Sequence, residues 1–174
     1  PSLTSLNISN FNTSKVTNMG YMFEHMSNLT TLNLSNFDTS RVTYMFSMFE
    51  GMSNLTILDL SNFDTSKVTD MSRMFYNMPN LITLDLFNFN TSQVTNMDYM
   101  FYLGNNDIPK DKLEKIYVNN DFNTAKLKYF TGMFGNRKKL RGGNGSYLAD
   151  PSTADKTWLR VDRPGVQGYF TRKS

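Results

Sequence analysis

LTTLNLSNFDTSRVTYMFSMFEGMSN, residues 29–54, set above LTILDLSNFDTSKVTDMSRMFYNMPN, residues 55–80, agrees at 17 of 26 positions without a gap. The register extends in both directions. Leu6, Leu32, Leu58 and Leu84 are spaced by 26, as are Phe11, Phe37, Phe63 and Phe89, Val16, Val42, Val68 and Val94, and Met22, Met48, Met74 and Met100. A fifth, degraded copy follows an inserted segment near residues 104–112, GNNDIPKDK, with Leu113, Ile116 and Val118 in place of the leucines. Self-similarity at a fixed period of this length is the signature of a chain that buries its apolar residues between neighbouring units.

Each unit reads as two pieces. In L-x-x-L-x-L, Leu58 and Leu60 alternate with Ile57 and Asp59, the period of a short strand with the leucines inward. SNFDTS is rich in turn formers. In VTDMSRMFYNM, Val68, Met71, Met74, Phe75 and Met78 fall at steps of three and four, which predicts one apolar stripe on a short helix or 3₁₀ segment, with Thr69 as its N-cap. The fold expected is an α/β solenoid of leucine-rich-repeat-like coils, each one short parallel strand plus a short helix or 3₁₀ segment. Residues 1–140 form about five repeats, and residues 141–174 a capping segment. Within that segment TWLRVD, the turn RPG and VQGYFT read as a β-hairpin, with Trp158, Val161, Tyr169 and Phe170 covering the apolar end of the last coil. The first repeat begins almost at residue 1 with no cap, so the chain is expected to be a monomeric fragment of a longer one.

Composition narrows the function. The 174 residues include no Cys and one His, His25, which removes disulfides, thiolate zinc sites and cysteine nucleophiles and leaves little for a histidine-based metal site or triad. His25 reads as a surface residue. The aspartates of the inserted segment do not have EF-hand spacing. No cofactor and no metal are expected, and no enzyme. No apolar run approaches the roughly 18 residues of a membrane span. Charge is uneven: residues 1–104 carry four Lys/Arg against eight Asp/Glu, and residues 105–174 carry 14 against seven.

LSNFDTSKVTDMSRMF, repeated at 26, resembles the bacterial surface protein 26-residue repeat, a relative of the BspA-like leucine-rich repeats. Phe75, Met78 and Leu81 stand where that wider family has F-x-x-C-x-x-L, with Met in place of Cys. VDRPG and the final GYFT are similar to the family's ending. The resemblance implies a secreted or wall-attached protein of Gram-positive bacteria or mycoplasmas, extracellular, acting in adhesion or host interaction. Sequons at Asn7, Asn12, Asn28, Asn54, Asn90 and Asn144 agree with bacterial export, because glycans within the repeats would block their packing.

The candidate ligand-binding residues are the outward strand positions, which vary at no cost to the core. One row runs through Thr31, Ile57, Thr83 and Lys115, and a second through Asn33, Asp59, Asp85 and Tyr117. Asp59 and Asp85, one strand apart, are expected to form an acidic spot suited to a basic or hydroxyl-rich ligand. A glycosidase pair is the catalytic alternative, but an open sheet supplies no desolvated acid. Arg137, Lys138, Lys139 and Arg141 form a basic run, read as an anion-binding patch or a solvated loop. It has no interleaved stacking aromatics, so nucleic acid is not expected. Tyr21, Tyr44, Phe46, Tyr76, Tyr99 and Tyr102 are a third candidate surface, on the back. The expected function is a non-catalytic recognition or adhesion module binding a host or cell-surface protein or glycan. The alternative is a passive spacer displaying another domain.

Overall fold

A computed structural model describes residues 3–174. The α/β solenoid expected from the sequence, with a strand and a short helix in every coil and a β-hairpin cap, is not the architecture found. Among the described residues there are three short strands, β1 (Thr83–Asp85), β2 (Lys115–Val118) and β3 (Phe170–Arg172), and three 3₁₀ segments, Asn105–Lys110, Pro151–Thr153 and Lys156–Trp158. The described residues include no α-helix, and most of them are in turns and extended irregular backbone.

The strands form one parallel sheet in the order β1-β2-β3, with Leu84 opposite Ile116 and Ile116 opposite Phe170. The expected strands of the earlier units do not pair. No backbone hydrogen bond joins residues 31–34 to residues 57–60. Side-chain amides take carbonyls there instead: Asn62 Nδ2 donates to the carbonyls of Leu34 and Phe37 at 3.0 and 2.7 Å, and Asn88 Nδ2 donates to those of Leu60 and Phe63. The leucine alternation survives without the ladder, since Leu32, Leu34, Leu58, Leu60, Leu84 and Leu86 are all buried.

The second half of each unit fails as a helix for a backbone reason. An α-helix keeps φ near −63° and bonds each N–H to the carbonyl four residues back. Here positive φ recurs every fourth residue, at Tyr21 and His25, Ser47 and Gly51, Arg73 and Asn77, and Gly132 and Asn136. Alternate N–H groups then point out of the unit: Met71, Arg73, Phe75 and Asn77 donate to the carbonyls of Asn96, Asp98, Met100 and Tyr102. The intervening Met74 and Tyr76 close three-residue turns onto Met71 and Arg73. A turn repeated every four residues buries the same apolar stripe that a helix would, so Met71, Met74, Phe75 and Met78 are inside as the spacing requires. Thr69 caps nothing; its N–H and hydroxyl both donate to the Thr43 carbonyl, as those of Thr95 do to Thr69.

Units 26 residues apart therefore lie side by side, linked by parallel bridges Asn18–Tyr44, Tyr44–Asp70, Asp70–Asn96 and Asn96–Tyr129. Phe23, Phe49, Phe75, Phe101 and Phe134 make a column of near-parallel rings, with centroids 5.9, 5.9, 5.7 and 5.2 Å apart. At the corners, buried threonines work in both directions. Thr39 Oγ1 donates to the Asp64 carbonyl at 3.0 Å and accepts the Asp64 N–H at 2.8 Å, and Thr65 treats Asn90 in the same way. One hydrophobic core runs from Ile8 to Phe170.

The C-terminal segment is also not a hairpin. Arg163 and Val166 pair antiparallel around Pro164-Gly165, with Gly165 at φ +80° as such a turn requires. Beyond the turn, Phe170 pairs parallel with both Val161 and β2. Tyr169 and Phe170 are buried against Phe134, and Trp158 packs on Tyr169.

Candidate functional site

The outward positions beside the buried leucines lie on one face. Thr31, Asn33, Ile57, Asp59 and Thr83 are exposed, Ile57 to 73%, while Asp85, Lys115 and Tyr117 are half-buried. β1 and β2 set Thr83 opposite Lys115 and Asp85 opposite Tyr117. The two rows differ in what their side chains already do. Asn7, Asn33, Asp59 and Asp85 each accept, on Oδ1, the N–H of the residue two positions on, at 2.9 to 3.1 Å. These are the side-chain-closed turns that Asn and Asp favour, and they end each leucine segment. Thr31 and Thr83 make no side-chain hydrogen bond among the described residues. The row Thr31, Ile57, Thr83 is the part of the face not spent on local structure.

The acidic spot is compensated. Lys173 Nζ pairs with Asp85 Oδ2 and also stands 5.7 Å over the Phe87 ring. Asp59 is held below the usual carboxylate range, first by the Ser61 side chain, then by the Ser61 N–H at 2.9 Å, with a smaller contribution from the charge of Lys173. A general acid for glycoside cleavage needs the opposite shift. Lys115 is similarly engaged, its Nζ donating to the Gly142 carbonyl at 3.0 Å and to that of Arg141 at 3.4 Å. Beside Thr31, Asn33 and Asp59 lies an open groove of about 340 Å³, also lined by Ser35, Ser61 and Asn62 and by Leu32 and Leu34. Its hydroxyls, amides and single carboxylate are hydrogen-bonding groups without a strong net charge.

The basic run does not form a patch. Arg137 is buried, 1% exposed, and its guanidinium donates from Nε to the Phe101 carbonyl at 2.7 Å, from one terminal nitrogen to Asp111 Oδ1 at 3.1 Å and from the other to the Met78 carbonyl at 3.2 Å. Burial lowers its pKa below the usual guanidinium value, and the Asp111 carboxylate opposes that shift. Arg141 lies 3.8 Å over the Tyr147 ring and donates to the carbonyls of Lys138 and Leu140. Only Lys138 and Lys139 of the run remain exposed. The sequence reading failed here because an Arg among lysines gives no sign of a carboxylate 26 residues earlier.

On the back, Tyr76 and Tyr102 stack at 5.1 Å and Arg73 lies 5.0 Å from the Tyr76 ring and 5.4 Å from the Tyr99 ring. Tyr21 packs edge-on against Phe46, and Tyr44 also meets it. Tyr21 and Tyr44 nevertheless stay exposed. His25, expected as a surface residue, is exposed, and its ring faces Glu24 and Glu50. The available signal was the repeat itself: Glu24 and Glu50 hold the same position in successive units.

Among the described residues no helix is long and apolar enough to cross a membrane. Comparison with curated proteins and with solved structures gives no match. The family described as "Mycoplasma protein of unknown function, DUF285" matches residues 2–116 and, overlapping them, residues 51–152; the chain belongs to this family.

Proposed function

We propose that the chain is a non-catalytic recognition or adhesion module of a bacterial cell-surface protein, with units of the 26-residue surface-protein repeat type. It acts outside the cell, binding a host or cell-surface protein or glycan on the leucine-segment face. The observation that carries this reading is the exposed row Thr31, Ile57 and Thr83, with an open groove at its Thr31 end, on a face whose inward leucines are fully committed to the core. A side chain with no local bond to satisfy is free to serve a partner. Hydroxyls and amides flanking one exposed aliphatic residue suit a glycan, which offers hydroxyls at its edges and an apolar ring face. A membership in a mycoplasmal family supports the bacterial assignment.

A second reading, the passive spacer, is favoured by one observation. Asn33, Asp59 and Asp85 are each explained by the turn they close. Capture of immobilised glycans and host surface proteins by the full chain separates the two readings. Saturable, selective capture of one class is expected for recognition. No saturable capture across a broad panel would overturn it and leave the spacer.

A further inference from the structure

Glu24 and His25 of the first unit and Glu50 of the second bring three ligand atoms within 4.8 Å of one another. His25 Nε2 stands 3.6 Å from Glu24 Oε1 and 3.8 Å from Glu50 Oε2. Both separations exceed hydrogen-bond range. They are close to the separation of about 3.4 Å between ligand atoms on a tetrahedral ion with bonds of 2.0–2.2 Å. We propose that Glu24, His25 and Glu50 form a zinc-binding site joining the first two units.

Three further observations fit an ion there. Glu50 is a nine-tenths-buried carboxylate. Its Oε1 accepts the Ser47 hydroxyl at 2.9 Å, while Oε2, the oxygen turned toward His25, has no hydrogen-bond donor among the described residues. Two carboxylates facing one imidazole carry more negative charge than that ring balances even when protonated, and a buried carboxylate calls for a cation.

The imidazole is also held in place. The His25 N–H donates to the Glu50 carbonyl at 2.7 Å, and its backbone adopts φ +60°. A Cβ added at position 51 would lie 2.6 Å from His25 Nδ1, so Gly51 makes the space in which the ring lies. The left-handed backbone alone does not demand glycine, because Asn77 adopts φ +55° at the same place in the next unit. The Ser47 hydroxyl fixes the carboxylate from behind, the role of the outer groups around metal ligands. With His25 59% exposed on its side chain, an ion can enter and keep water as a fourth ligand.

The test is calorimetric titration of the full chain with zinc chloride, paired with visible absorption of the cobalt(II)-loaded protein. One equivalent bound, with the spectrum of a four-coordinate ion, is expected. His25→Ala and Glu50→Gln each lose saturable binding. Ser47→Ala, which touches no ion, weakens it by about 10–100-fold, and Gly51→Ala weakens it by displacing the ring. His25→Ala alters an exposed side chain and leaves the fold intact, so its result is readable on its own. Zinc uptake unchanged in His25→Ala, or no saturable uptake by the unaltered chain, overturns the proposal. Neither outcome bears on the leucine-segment face.

Discussion

From residue 3 to residue 104 each unit leans on the next through the same few bonds, whereas from residue 105 onward that pattern continues through Tyr129 and Phe134 and is joined by pairings that occur once. The first region repeats a corner asparagine, a buried threonine and a ring in the phenylalanine column, and any one of these is a small share of the total. The second relies on a buried Arg137–Asp111 pair, a bidentate Arg163–Asp121 pair and Lys173 on Asp85. The repeats satisfy their corner polar groups with hydroxyls and amides, and the irregular end adds ion pairs. Repetition spreads stability over equivalent sites, while an irregular end concentrates it in a few.

The sharpest way to break this comparison is Arg137→Ala. It leaves the buried Asp111 with only the Leu113 N–H and no cation, and the carbonyls of Met78 and Phe101 without a donor, and a loss of about 3–5 kcal/mol in urea unfolding is expected. Arg137→Met combined with Asp111→Leu restores most of that loss if the cost is an orphaned charge. If it restores none, the three-way hydrogen bonding of the guanidinium matters more than its charge.

In the repeats, Asn62→Ala leaves two part-buried carbonyls without their donor, and a loss of about 2 kcal/mol is expected by the same measurement. Asn36→Ala should cost a similar amount, because the bond is the same one unit earlier. A difference of several fold between them would show that the units are not equivalent.

Acid separates the regions more gently. Asp38 and Asp64 are held below the usual carboxylate value of 3.8, mainly by the hydroxyls of Ser40 and Ser66, each 2.6 Å away. Asp121 is lowered chiefly by Arg163. Each folded carboxyl then binds its proton less readily than the unfolded one. Their contribution is complete above the unfolded pKa and is lost as pH falls through the lower folded value. Urea unfolding between pH 5 and pH 2 should show stability falling, with a shallower slope in Ser40→Ala/Ser66→Ala. Added salt should weaken the Asp121 contribution and leave the serine-bound carboxylates unchanged. The smallest effect is expected from Lys173→Ala. It breaks an exposed pair and should shift stability by about 0.5 kcal/mol.

The repeat, its period and most of the buried apolar residues were legible in the sequence, because burial at fixed spacing is written in residue type; buried Arg137 and Glu50 were not. The backbone that achieves it was not. Apolar residues at steps of three and four fit a helix and a four-residue turn equally. Asn77, Gly51, Gly132 and Asn136 hinted at left-handed backbone, but Tyr21, His25, Ser47, Arg73 and Tyr99 adopt it without any such sign. Alternation around RPG correctly marked a turn, yet the partner of β3 is β2, more than fifty residues earlier, and nothing local records it. The outward rows were legible as positions. That one row closes turns while the other stands free depends on hydrogen bonds two residues away, and that Asp85 meets Lys173 depends on a contact 88 residues apart.

The central claim is that the free row does the binding. Its most direct test is quantitative capture of an immobilised glycan and surface-protein panel by the unaltered chain, by Thr31→Ala/Ile57→Glu/Thr83→Ala, and by Lys138→Ala/Lys139→Ala. The account predicts that capture disappears in the first variant and persists in the second. Capture that survives the first and is lost with the two lysines would contradict it.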